Sequence, residues 1–170
     1  MSARVLDLLK EKFGAAILET HAQFGDDTAV IDPASWRAVA LFLRDDNRIA
    51  MNMFTDLCGV DYPHREPRFE VVCHLRSLQH AHRIRIKSRV GDEEGEVVEI
   101  DSLVPVWRGA DWFERETFDL MGITFKGHPD MRRILMPEDY VGWPQRRDFP
   151  VGGEPVIFTH NERETPGWYR

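Results

Sequence analysis

Cysteine is scarce in this 170-residue chain: there are two, Cys58 and Cys73, fifteen positions apart. They cannot supply the roughly four thiolates that an iron–sulfur cluster or a Cys-only zinc site usually takes. No C-x-x-C, no P-loop and no G-x-G-x-x-G after a strand occurs, so no motif holds a nucleotide, flavin or redox centre. No run approaches the ~20 apolar residues that cross a bilayer. The first residues are broken by Asp7, Lys10, Glu11 and Lys12, which reads against a secretory leader. The net charge of −7 makes nucleic acid a poor main partner. The expectation is a chain of the reducing cytosol, soluble or docked to something larger.

At this length one hydrophobic core is expected. Proline and glycine are unevenly spread. Of 22 such residues, eleven fall in the last 44, Gly127 to Arg170. The sequence therefore divides into a regular body, 1–126, and a punctuated arm, 127–170. Fully extended, such an arm spans at most about 145 Å.

The body alternates helix and strand signals. An amphipathic helix is expected over Ser2–Phe13, and short strands at 17–18 and 29–31 around a turn at Gly25 to Asp27. Asp32-Pro33 is a helix start, with Trp36, Val39, Ala40 and Leu43 recurring behind it. Strands are expected over Met51–Leu57, Phe69–Leu75 and His82–Val90, the last two forming an antiparallel hairpin. In the third, His82, Ile84, Ile86 and Val90 face one way and Arg83, Arg85, Lys87 and Arg89 the other. Gly91 to Asp101 is an acidic connector, expected to balance that basic stripe. Ser102 caps a helical turn through Trp107, and a last helix runs from Asp111 to Met121, closed by Gly122. The fold class is α+β, two-layer, with one mixed or antiparallel sheet, helices mainly on one face and a long extended C-terminal arm.

The last helix carries the densest charge. Trp112, Phe113, Leu120 and Met121 share one half of its circumference, and Glu116 falls in that arc. A carboxylate there needs a partner. Arg115 and Asp119 stand at i, i+4 and are expected to pair locally. Glu116 is left to the arginines of the arm. The resulting expectation is an ion-pair network of Glu114, Arg115, Glu116, Asp119, Arg132, Arg133, Arg146, Arg147 and Asp148, joining helix, arm and a partner surface. A carboxylate-dependent hydrolase using Glu114 or Glu116 is the rival of a different class, but no nucleophile motif accompanies them. Cys73, His74, His80 and His82 match no zinc spacing and read as hairpin residues.

Several stretches resemble one family. They are Thr55-Asp-Leu-Cys-Gly-Val-Asp-Tyr-Pro63, Arg68-Phe-Glu-Val-Val-Cys-His-Leu75, Arg83-Ile-Arg-Ile-Lys87 and Trp112-Phe-Glu-Arg-Glu-Thr-Phe-Asp-Leu-Met-Gly-Ile123. Gly127-His-Pro, Arg132-Arg-Ile-Leu-Met136 and Asp139-Tyr-Val-Gly-Trp-Pro-Gln-Arg-Arg-Asp-Phe-Pro150 follow. Over residues 50–150 the chain resembles the C subunit of the proton-pumping NADH:quinone oxidoreductase, respiratory complex I. Met121, Gln145 and the segment after Pro150 depart from the family pattern. The resemblance implies a cofactor-free structural and assembly subunit of the peripheral arm. FMN and iron–sulfur clusters would lie in partner subunits, and electrons would pass from NADH to quinone with proton translocation. It implies peripheral attachment on the cytoplasmic side, against the quinone-site and cluster-bearing neighbours. Equivalent scaffolds of a membrane-bound hydrogenase or a photosynthetic quinone reductase are the alternative.

Overall fold

A computed structural model describes residues 3–91 and 98–150. Helix α1 spans Ala3–Phe13, strand β1 Ile17–His21, β2 Thr28–Ile31, α2 Trp36–Asp45 and β3 Met53–Asp61. Then come β4 Phe69–Ser77, β5 His82–Val90, β6 Glu99–Asp101, α3 Ala110–Met121 and β7 Thr124–Lys126. The α+β expectation holds, but the strands make two sheets. Five strands lie in the order β1-β2-β5-β4-β3, and β6 and β7 form a separate parallel pair. In the larger sheet only β2 and β5 run parallel. The acidic connector thus ends in a strand, Glu99–Asp101; its residues 92–97 lie outside the described part. Period-2 patterning could not show β6 or β7, because three residues hold barely one alternation.

Local chemistry sets the boundaries. The Asp32 carboxylate accepts the Ala34 N–H at 3.1 Å, with Pro33 in the first turn position, so the chain enters α2 through a capped turn. Gly122, at φ 73°, closes α3 in the left-handed conformation, its N–H reaching the Phe118 carbonyl. The β4–β5 register, Cys73 opposite Ile86 and Leu75 opposite Ile84, puts Phe69, Val71, Cys73, Leu75, Ile84, Ile86 and Val90 on one face. Those side chains form one core with Leu9 of α1, Trp36 and Leu43 of α2, and Leu120 and Met121 of α3. All three helices therefore cover the same face.

The opposite face carries the basic stripe. It is balanced by Glu19, Asp26 and Glu70, a set different from the connector acids expected to do so. Arg83 and Arg85 pair with Asp26, Arg89 with Glu19, and Lys87 with Glu70 at 3.0 Å. Of the connector, Glu99 meets Lys126 and Asp101 meets Arg37.

One close approach positions α3. A Cβ on Gly59 of β3 would stand 2.8 Å from Met121 Sδ, 2.9 Å from Ile123 Cδ1 and 3.1 Å from Thr117 Cγ2. Valine would suit an isolated strand, yet here it must push the helix away. We expect Gly59→Val to cost about 1–3 kcal/mol by overpacking, and Gly59→Ala less, in urea denaturation. A valine variant as stable as the parent would show that α3 does not pack this tightly.

Candidate functional site

The site lies where the arm meets the C-terminal half of α3 and the end of β3. Residues 127–150 contain no helix or strand, so their backbone groups must find partners elsewhere. Asp119 serves three of them. Its Oδ2 accepts the N–H groups of Ile134, Leu135 and Met136 at 2.9, 2.7 and 2.8 Å. Its Oδ1 lies 2.7 Å from Arg133 Nη1. Successive N–H groups turned onto one anion form a nest, here occupied by a side chain of the same molecule. Asp119 has no exposed surface. Burial alone would raise its pKa, but the Met136 N–H, Arg133 and the Ile134 and Leu135 N–H groups together hold it below the usual value.

Arg133 turns its remaining donors to the backbone. It reaches the carbonyls of Asp119, Tyr140 and Gly142 at 2.9, 2.9 and 3.1 Å, and its guanidinium lies 4.7 Å from the Trp143 ring centroid. A fork of five donors suits this task and an ammonium would not. Arg146 follows the same logic. Its Nε donates to the Met121 carbonyl at 2.7 Å, and its guanidinium lies over Phe69. Gly122 is required twice, for its φ and because a Cβ would meet Arg146 Nη2 and the Trp143 ring at 2.6 Å.

A second tie lies at the end of β3. Arg68 holds the buried Asp61 carboxylate through both Nε and Nη2 at 2.6 Å, and Asp148 through Nη1 at 2.9 Å. Asp61 also accepts the Arg147 N–H at 2.8 Å. The Arg68 guanidinium, against the cost of burial, keeps Asp61 below the usual carboxylate range.

Several of the sequence-predicted site residues sit elsewhere. Glu116 is exposed and, among the described residues, has neither hydrogen bond nor ion pair. Besides Asp119, which the arm covers, the buried acid of α3 is Glu114 and not Glu116: the stripe facing the core is Ala110, Glu114, Thr117, Leu120 and Met121, with Trp112 60% exposed. Two polar members disguise that stripe in the sequence. Among the described residues Glu114 bonds to no arginine: it accepts from Ser102 Oγ at 2.7 Å and the Leu103 N–H at 2.6 Å. Ser102 is thus part of a buried polar cluster as well as a turn cap. Arg115 does not pair with Asp119, whose oxygens are already taken by Arg133 and the three N–H groups of the arm. It donates instead to the carbonyls of Arg132 and Arg133. Among the described residues the Arg132 side chain pairs only with Asp130, two residues away, and Arg147 contributes only its backbone N–H. Sequence reasoning misses Asp61 and Arg68 as site residues, although both stand in the quoted motifs.

The arrangement clamps residues 127–150 to the body. Glu114 is sealed from solvent, which removes it as a hydrolytic acid or base. Among the described residues no group of three or more His, Cys, Asp or Glu could hold a metal ion, and no helix is long and apolar enough to cross a membrane.

The sequence model of the family described as respiratory-chain NADH dehydrogenase, 30 Kd subunit, matches residues 29–155. The chain belongs to that family. It is 47% identical to the NADH-quinone oxidoreductase C subunit of Roseiflexus sp. (strain RS-1), over 95% of this chain and 91% of that one. With the corresponding C subunit of Sinorhizobium medicae it shares 42%, over 91% of this chain and 75% of the relative. A chain in the structure of the membrane-bound sulfane sulfur reductase, an archaeal respiratory membrane complex, superposes with a TM-score of 0.73 over 88% of this chain and 86% of its own. At 20% identity that likeness is one of fold. Every residue of both ties, Asp61, Arg68, Asp119, Arg133, Arg146 and Asp148, lies inside the family match.

Proposed function

We propose that this chain is the scaffold subunit of the peripheral arm of a proton-pumping NADH:quinone oxidoreductase. Its task is to hold neighbours in place while FMN and iron–sulfur clusters in those neighbours carry electrons from NADH to quinone. The chain itself supplies no redox group. It sits on the cytoplasmic side of the membrane and attaches through the complex. The observation that carries this is the 47% identity over 95% of the chain to a protein named as the C subunit of that enzyme. The geometry supports it, because the charges buried at the two ties bind the chain to itself.

Within that role the chain divides into a body, 1–126, and a docking arm, 127–170. The ties at Asp119 and Asp61 keep 127–150 along the body. Affinity purification of the tagged chain from membranes tests the assignment. Flavin- and cluster-bearing subunits with NADH:quinone activity are expected. Recovery with a hydrogenase activity instead, or with no partner, overturns it.

A further inference from the structure

The side of the molecule along β3 and α3 combines an edge strand with exposed apolar side chains. β3 is an edge strand: among the described residues its backbone pairs only with β4. Beside it α3 turns Trp112 outward, and β3 itself exposes Met53 and Cys58. Trp112 has a ring contact within its own helix. The Arg115 guanidinium lies 5.4 Å from its ring centroid and is itself fixed by the Arg132 and Arg133 carbonyls at 3.2 and 3.1 Å. An exposed tryptophan with a cation against its ring is the kind of side chain that anchors interfaces.

Two acids accompany these side chains. Asp56 and Glu116 have no hydrogen bond or ion pair among the described residues. Both lie close enough to Cys58 that, after lost hydration, their charges raise its thiol pKa, with Lys87 opposing. Register puts Asp56 and Cys58 on the same sheet face as the basic stripe, across from His74 and Val72, so this surface wraps around the β3 edge from that face to α3. The acids Glu19, Asp26 and Glu70 of that face are by contrast all paired. The register shift between Phe54 and Asp56 bulges the edge at Thr55. Bulges discourage a strand from adding there, so an occupant would be met by side chains.

We propose that the β3 edge and the outer face of α3 form a docking surface for a neighbouring subunit that presents Lys or Arg beside an apolar patch. The partner cation meets Asp56 and Glu116, and its apolar surface covers Trp112 and Met53. This rests on the assembly role proposed above.

Cys58 sits inside the surface and reports on it without any substitution. In the isolated chain maleimide should label Cys58 and spare the buried Cys73. In the complex purified through the wild-type chain, the Cys58 labelling rate should fall at least tenfold. Separately, Asp56→Arg with Glu116→Arg should cut recovery of partner subunits at least tenfold, while the isolated variant melts as the parent does. An equal labelling rate in the two states overturns the docking surface, whatever the variant does. A normally assembling double variant overturns it too. Wild-type chain that recovers no partner subunits defeats the assembly role itself, which is a different result.

Discussion

Asp119→Ala is expected to free residues 130–150 from the body and to lower the melting temperature by roughly 10 °C. The reasoning starts from charge. Asp119 is buried, and its one ion-pair partner among the described residues, Arg133, has a side chain 12% exposed. Removing one partner of such a pair typically costs about 3–5 kcal/mol, because the other charge stays without compensation. For a chain of this size each kcal/mol moves the midpoint by about 2–4 °C. The three N–H groups of 134–136 lose their acceptor as well, and only water can replace it. The segment should therefore open before the sheet does. Limited proteolysis should cut between 130 and 150 while the far-ultraviolet circular dichroism of the body persists.

Controls separate charge from shape. Asp119→Asn keeps an oxygen for the nest but turns an N–H₂ toward Arg133, so it should lose most of the same stability. Arg133→Ala should lose a comparable amount, and the double variant little more than either alone, since both act through one clamp. Additive losses, or a segment that resists protease in Asp119→Ala, would show that the arm is held by its aromatic contacts instead.

How far this was legible in the sequence differs by level. The hairpin of β4 and β5 was plain, since nine-residue strands with one buried face repeat the period four times. The end of α3 was equally plain, because a glycine after an amphipathic run is a stop signal. The site was only half legible. Asp119 and Arg133 could be named as charged residues near helix and arm. Nothing in their spacing told that Asp119 would be filled by backbone N–H groups of 134–136. A nest is a property of consecutive main-chain angles, which carry little side-chain signature. Glu116 and Glu114 exchange places for a related reason. A helical wheel ranks positions by hydrophobicity, and it fails where the buried stripe contains Glu114 and Thr117, with the Glu114 carboxylate satisfied by Ser102 and Leu103.

Glu114 gives the second large effect, a dependence on pH. Loss of hydration pushes its pKa from 4.5 up to about 7, more than the Ser102 and Leu103 hydrogen bonds pull it down; Asp111 adds to the rise and Arg37 opposes it. The folded state therefore holds this proton more tightly than the unfolded chain. Its contribution to stability is complete below pH 4.5, fades between 4.5 and about 7, and stays lost above that. Two and a half pH units correspond to about 3 kcal/mol. Other groups act in neighbouring windows. Burial, the first cause for both, lowers His74 and His82, and these gain stability as pH rises toward 6.5. Asp61, Asp119 and Asp148 are lowered and protect only above their acid range. The wild-type profile alone is thus a mixture, and the comparison with Glu114→Gln isolates the one residue. Glutamine can still accept the Leu103 N–H, and its amide can donate to Ser102 Oγ. The two proteins should match near pH 4.5, and the variant should be the more stable by about 3 kcal/mol at pH 8 in urea denaturation. Glu114→Leu should be worse than glutamine at every pH, since it strands the Leu103 N–H and the Ser102 hydroxyl at about 1–3 kcal/mol. Parallel stability profiles for the parent and Glu114→Gln would mean that the carboxylate stays ionised in the core, with its charge met by Ser102, Leu103 and the more distant Arg37.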